Sequence, residues 1–173
     1  MTSLIGTYYH VIDAKGRMNF PTKLRELLGS SFYVTKGLDA HCLAVYPAEE
    51  WERLSQKVAA IPESKGAQLK RWLFSGACEM VPDQQGRILI PQDLRQFAGL
   101  EKDVVVIGAN NKAEIWNRAS WERTKKIISK RICFCASLTI SCRIRRDIQK
   151  GRTDFRPFSQ FRTGNPVNYH ILR

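Results

Sequence analysis

Histidine is scarce in this chain: His10, His41 and His170 are the only three among 173 residues, and they are scattered. No Gly-x-Gly-x-x-Gly, P-loop, His-Glu-x-x-His or Gly-x-Ser-x-Gly segment occurs, so the sequence offers no phosphate cradle, zinc-protease pair or nucleophile elbow. Neither an enzyme nor a cofactor is expected. Apolar runs are short, none nearing the ~18 residues of a membrane span. Met1 to Gly6 has neither the basic nor the apolar region of a signal peptide, and a cytoplasmic location is expected. Cysteines number five, an odd count, and Cys42 and Cys78 sit singly in apolar stretches, as small core residues do in a reducing compartment. Cys133, Cys135 and Cys142 lack the paired Cys/His spacing of a zinc site, so no metal is expected.

Acidic residues are lacking in one region. Residues 124–173 hold 12 Lys and Arg against 2 Asp and Glu, or +10, whereas residues 1–123 hold 16 against 14, or +2. The formal net charge of +12 suits a polyanionic partner, but most of it lies outside the first 123 residues. The length suits one domain, or two small ones sharing a core.

What the chain does have is a repeat. At an offset of 70, Asp13 to Gly29 aligns with Asp83 to Gly99, and seven of seventeen positions are identical. These are Asp13/Asp83, Gly16/Gly86, Arg17/Arg87, Pro21/Pro91, Leu24/Leu94, Arg25/Arg95 and Gly29/Gly99, mostly turn, breaker or charged residues rather than interchangeable apolar ones. Gly6 meets Gly76, Tyr46 meets Trp116 and Trp51 meets Trp121 at the same offset. The organisation expected is a first repeat at 5–55, a helical connector at 56–74, a second repeat at 75–123 and a basic tail at 124–173.

Each copy reads as ββαββ. A short apolar segment enters an Asp-x-x-Gly turn, where glycine supplies a positive φ and aspartate bonds the loop backbone, and the two arms are expected to pair as a first hairpin. The outgoing arm, Arg17 to Phe20 or Arg87 to Ile90, is stopped by a proline suited to a first helical turn. A helix follows with Leu24, Leu27 and Leu28, or Leu94, Phe97 and Ala98, on its core face, closed by Gly29 or Gly99. A second hairpin pairs residues 32–35 with 42–46, and 104–107 with 113–116. After copy one, Trp51, Leu54 and Val58 share a face of a helix that Pro62 ends. A unit of some 50 residues with so little to bury is expected to interleave with its twin into one pseudo-two-fold domain.

The chemistry-bearing candidates lie at the turns. Arg17 and Arg87 directly follow the turn glycines, with Lys15 beside the first, and a guanidinium forks to guanine O6 and N7 or to a phosphate. The blander alternative is that each arginine pairs with Asp13 or Asp83 across its own turn, a contact of little energetic value when exposed. Asp13, Gly16, Asp83 and Gly86 are assigned to shaping and orienting the turn. For Arg25 and Arg95, a phosphate contact stands level with a solvated helix face or an intersubunit ion pair. Copy two has Gln85 where copy one has Lys15, so copy one is expected to contribute more. Tyr8, Tyr9, Tyr46, Trp51, Trp72, Trp116 and Trp121 are expected mostly in the core.

The doubled Asp-x-x-Gly-Arg…Pro…Leu-Arg pattern resembles the MraZ family, together with Gly6, Tyr46-Pro47…Trp51, Ser75-Gly76-Ala77 and Glu114-Ile115-Trp116. The resemblance covers about residues 4–123. It implies a mainly β, α+β fold in which two tandem AbrB-like swapped-hairpin repeats form one barrel-like domain. It also implies assembly into a ring-shaped homo-oligomer in the cytoplasm and nucleoid, and a role as a transcriptional regulator. The DNA partner it implies is a set of short direct repeats in the promoter of the division and cell-wall gene cluster, contacted through the Asp13–Arg17 and Asp83–Arg87 elements. An AbrB-like antitoxin or a structural ring without promoter specificity would use the same fold. The tail at 124–173 carries none of the resemblance, and an irregular, disordered extension, a product of an altered reading frame and a nonspecific nucleic-acid arm remain open readings of it.

Overall fold

The computed structural model describes residues 3–38 and 40–130. The Cys133, Cys135 and Cys142 group and most of the basic tail lie outside the described residues.

Copy one contributes β1 (Thr7–Val11), β2 (Arg17–Asn19), α1 (Thr22–Leu28), β3 (Phe32–Lys36) and β4 (Leu43–Pro47). Two connecting helices follow, α2 (Ala48–Ala59) and α3 (Glu63–Ser75), separated at Pro62. Copy two repeats the series as β5 (Cys78–Met80), β6 (Arg87–Leu89), α4 (Gln92–Phe97), β7 (Asp103–Gly108) and β8 (Ala113–Asn117). Residues 118–130 are helical.

The strands form a six-stranded antiparallel sheet in the order β1-β7-β8-β4-β3-β5, and a separate two-stranded ribbon, β2-β6. That order reads the same from either end once each strand is exchanged for its counterpart. An approximate two-fold therefore runs between β4 and β8, where Ala44 faces Glu114, and through the ribbon, where Met18 faces Ile88. The first pair of arms in each copy is exchanged: β1 pairs with β7, β5 pairs with β3, and β2 pairs with β6. Only the turn itself stays local, through the Ile12–Met18 bridge and the bond from Asp13 N to Arg17 O at 2.8 Å. The sheet does not close into a barrel among the described residues, since β1 and β5 remain its two outer strands.

Alternation with period two decides which residues meet in the middle. Phe32, Val34, Leu43, Val45, Val104, Val106, Ala113 and Ile115 point to one face of the sheet and are buried there beneath Met18, Phe20, Ile88 and Ile90 of the ribbon segments. Leu24 and Leu28 of α1, with Leu94 and Ala98, close the same core. Burying one such aliphatic side chain contributes about 1.5–3 kcal/mol, so the ribbon is fixed to the sheet from beneath by four large side chains. On the opposite face Tyr33 stacks on Trp51 of α2 at 5.3 Å, and Trp116 meets Trp121 at 5.5 Å. The two tryptophans that aligned in the repeat thus dock equivalent helices.

Two expectations about the short helices need correction. Leu27 is 40% exposed rather than in the core. Its counterpart Phe97 is covered by Trp72 of α3 at 5.9 Å, and no such helix covers Leu27 among the described residues. The closing glycines also differ: Gly29 caps α1, whereas α4 ends on Ala98 with Gly99 following in the left-handed region at φ 56°. Cys42 is buried and Cys78 partly so, and the two are not joined to each other by a disulfide.

Candidate nucleic-acid interface

The ribbon places the two sequence-identical turns side by side. Bonds from Phe20 N to Gly86 O (3.0 Å) and from Ile90 N to Gly16 O (2.9 Å) extend its ladder into both turn glycines. Asp13 Oδ1 accepts from the backbone N–H groups of Lys15 and Arg17, each at 2.9 Å, and its Oδ2 accepts from Arg17 Nε at 2.8 Å. Asp83 reproduces this atom for atom with Gln85 and Arg87, at 2.9, 2.9 and 2.8 Å. One carboxylate thereby holds the turn closed with one oxygen and steers its arginine with the other. Both carboxyls titrate below the usual aspartate range; the bond from the following arginine's backbone N–H is the largest cause in each.

The blander reading of the sequence, an Asp–Arg pair within each turn, is what the geometry contains. It leaves the arginines accessible nonetheless: the Arg17 and Arg87 side chains are 37% and 36% exposed. Because the aspartate engages Nε, the guanidinium is oriented by its own turn, and the donors that fork onto an outside acceptor, those on Nη, are not the ones the aspartate engages. Arg17 and Arg87 are diagonal neighbours across the ribbon, about 7–8 Å apart by strand geometry.

Gly16 and Gly86 are favoured by their backbone conformation and sit against arginines that an added Cβ would displace. Their φ values are +83° and +75°, and each supports an arginine from the other copy's helix. A Cβ at Gly16 would lie 2.9 Å from Arg95 Cζ, and one at Gly86 would overlap the Arg25 guanidinium. Arg95 also donates from Nε to Ile90 O at 3.0 Å. Arg25 and Arg95 therefore cross the two-fold: α1 of copy one braces the second turn, and α4 of copy two braces the first. Each turn is flanked by two arginines, Arg17 and Arg95 at the first, Arg87 and Arg25 at the second. Lys15 stands exposed at the tip of the first turn.

Sequence reasoning overlooked Asn19 and Leu89. Both are exposed on the outer face of the ribbon, Leu89 to 60%, while Met18 and Ile88 between them and the arginines are buried. The signal was available, since period-two alternation from Arg17 and Arg87 puts the residue two positions later on the same face. Of the seven aromatic residues expected mostly in the core, Tyr46 and Trp116 are buried, whereas Tyr8, Trp51, Trp72 and Trp121 are half-buried at its margins. Tyr9 is 51% exposed, with its ring under Arg118 at 5.3 Å and its hydroxyl on Glu122 Oε1 at 3.2 Å. Among the described residues no helix is long and apolar enough to cross a membrane.

The family model described as "MraZ protein, putative antitoxin-like" matches residues 4–70 and 73–132, one match for each repeat. The chain is 52% identical over 121 residues to a protein named transcriptional regulator MraZ from Heliobacterium modesticaldum, covering 69% of this chain and 84% of that one. Proteins of the same name from Acetivibrio thermocellus (49% over 119 residues; 68% and 82%) and Lachnoclostridium phytofermentans (50% over 119 residues; 68% and 84%) are similarly close. The matched stretch contains both turns, both bracing helices and the whole six-stranded sheet. Matched along both repeats and half identical to such relatives, the chain belongs to the MraZ family.

Proposed function

We propose that this protein is a sequence-specific, DNA-binding transcriptional regulator, without cofactor, whose contact surface is the outer face of the β2-β6 ribbon. The observation that carries the reading is the pair of aspartate-steered arginines on a two-stranded antiparallel ribbon. A two-stranded ribbon is one of the few elements the major groove admits, and arginine forked onto guanine is the commonest specific contact there. Arg17, Lys15 and Arg87 are the primary contacts; Arg25 and Arg95, beside the turns, brace them and reach flanking phosphates. Relatives named as transcriptional regulators favour regulation over an antitoxin role.

The protein acts as a ring-shaped homo-oligomer in the cytoplasm, associated with the nucleoid, on short direct repeats in the promoter of the division and cell-wall gene cluster. A ring presents many ribbons, so modest contacts combine through effective concentration, and regularly spaced repeats are the matching target. Native mass spectrometry showing a monomer at working concentration would remove the ring.

The test is fluorescence anisotropy of the full chain on its own upstream DNA and on scrambled DNA over a salt series. A specific regulator binds the former tighter by about 10³ or more. Indiscriminate, salt-sensitive binding that survives in an Arg17→Ala/Arg87→Ala double variant would assign the DNA affinity to the +10 tail and refute the reading.

A further inference from the structure

The ribbon's outer face is two-fold symmetric in its arginines and asymmetric in everything else. Arg17 lies opposite Leu89, and Asn19 lies opposite Arg87, with the buried Met18–Ile88 pair on the two-fold between these rows. Residues directly opposite in an antiparallel pair share a face. The surface is therefore two rows, an Arg–Leu row and an Asn–Arg row, separated by two residues along the strand, about 6.8 Å. That spacing corresponds to about two base steps at 3.4 Å each. The two-fold equates Arg17 with Arg87 and Asn19 with Leu89. A leucine 60% exposed on a polar DNA-facing ribbon, at the position where the other copy has an asparagine, supports neither core nor turn.

We propose that Asn19 and Leu89 are specificity-determining residues that break the pseudo-symmetry of the ribbon and fix the direction in which the protein sits on DNA. The inference rests on the DNA-binding reading above and assigns it a finer content. Asparagine matches adenine N6 and N7 through its amide, and an exposed aliphatic side chain matches the thymine methyl, the one apolar group on the major-groove floor. Each arginine matches a guanine. The row containing Asn19 then reads a guanine beside an adenine, and the row containing Leu89 reads a guanine beside a thymine methyl. Because the rows differ, the preferred site is not its own reverse complement, and a protomer turned end for end would set Leu89 against an adenine amino group and Asn19 against a methyl.

Selection of bound duplexes from a randomised library tests this, using the full chain and two symmetrising variants, Leu89→Asn and Asn19→Leu. Both positions are exposed and outside the core, so the variants retain the fold, and thermal unfolding compares them with the wild type. The wild type is expected to enrich a motif without two-fold symmetry. Leu89→Asn should make the motif self-complementary with adenine preferred in both halves, and Asn19→Leu self-complementary with thymine preferred in both. On fixed duplexes, Asn19→Ala should reduce discrimination at one base pair by roughly 5- to 150-fold and leave the other row's preference unchanged. A wild-type motif that persists unaltered in both symmetrising variants overturns the proposal alone. A wild-type protein that enriches nothing overturns the DNA reading itself, and the proposal with it.

Discussion

Replacing Arg17 by alanine should lower promoter affinity by roughly 5- to 150-fold for each ribbon engaged, the range for losing one bidentate guanine contact. The structure makes the variant worse than a simple deletion. Asp13 is kept ionised by the backbone N–H groups of Arg17 and Lys15, which the substitution leaves in place. An unneutralised carboxylate, 42% exposed, then faces the DNA, and a further Asp13→Asn change, which removes the charge but keeps an oxygen for the two turn N–H groups, should restore part of the lost affinity. Arg87 has the same 2.8 Å pairing and nearly the same exposure, so geometry alone makes the two arginines equal. We assign any greater dependence on Arg17 to its neighbour, Lys15 against Gln85; the other difference beside the arginines, Leu89 opposite Arg17 and Asn19 opposite Arg87, is one of base preference. One lysine-to-phosphate contact contributes about 0.9 to the slope of log K against log salt, and Lys15→Gln should remove that much. In that background the effects of Arg17→Ala and Arg87→Ala should converge. Anisotropy titrations at four salt concentrations measure all of these quantities. Wild-type affinity in Arg17→Ala would refute the site, and arginine effects that stay unequal after Lys15→Gln would refute the assignment of the difference to Lys15.

The remaining predictions concern what holds the ribbon in place. Gly86→Ala should weaken DNA binding and destabilise the fold, because it adds overlap with Arg25 to a φ of +75°; Gly99→Ala, at φ +56° with open space around it, should cost only the left-handed strain of about 1–2 kcal/mol and leave DNA binding alone. Urea unfolding and anisotropy on both variants separate the two. Ile88→Ala, beneath the ribbon and 2% exposed, should cost about 2–5 kcal/mol, seen as a lower denaturation midpoint. Asp13 and Asp83 have lowered folded-state pKa values, so their stabilisation of the turns is present above the ordinary aspartate value of about 3.9 and is lost as pH falls below it. Carboxyl NMR titration should show both midpoints below that value, and Arg17→Ala should raise that of Asp13; midpoints at the ordinary value would count against the turn geometry.

The repeat, its turns and its helices were legible because the residues that encode them have no substitutes. Only glycine comfortably takes the φ of Gly16 and Gly86, proline ends a strand ladder at Pro21 and Pro91, and Leu24 with Leu94 must face inward. The exchange of β1, β2, β5 and β6 between copies was not legible in the residues. Alternation states which side chains of a strand share a face, but it is satisfied equally whether Met18 lies against its own copy's arm or against Ile88. The resemblance to a known family supplied the exchange, and the ladder shows it. The repeat also hides a change of phase. The ladder equates Val34 with Val106, an offset of 72, while β4 and β8 keep 70. The second copy has two more residues before β7 and two fewer in the β7-β8 turn. Leu27 was misplaced for a related reason, since its burial depends on a neighbouring helix that, among the described residues, only the Phe97 side has.

Duplication within one chain gives this ribbon a property that a dimer of identical subunits would lack. In such a dimer the residues at 19 and 89 would be the same, and a two-fold ribbon would read a two-fold site. Covalent linkage lets the halves differ, but not everywhere at equal cost. Met18 and Ile88 face one another across the axis in a packed core, so neither can change volume without the other adjusting. Gly16 and Gly86 are each held by a positive φ that other residues take only under strain. The exposed positions two residues beyond the arginines meet neither constraint, and there the two copies carry asparagine and leucine. The core keeps the scaffold symmetric, and its outer face is free to be directional.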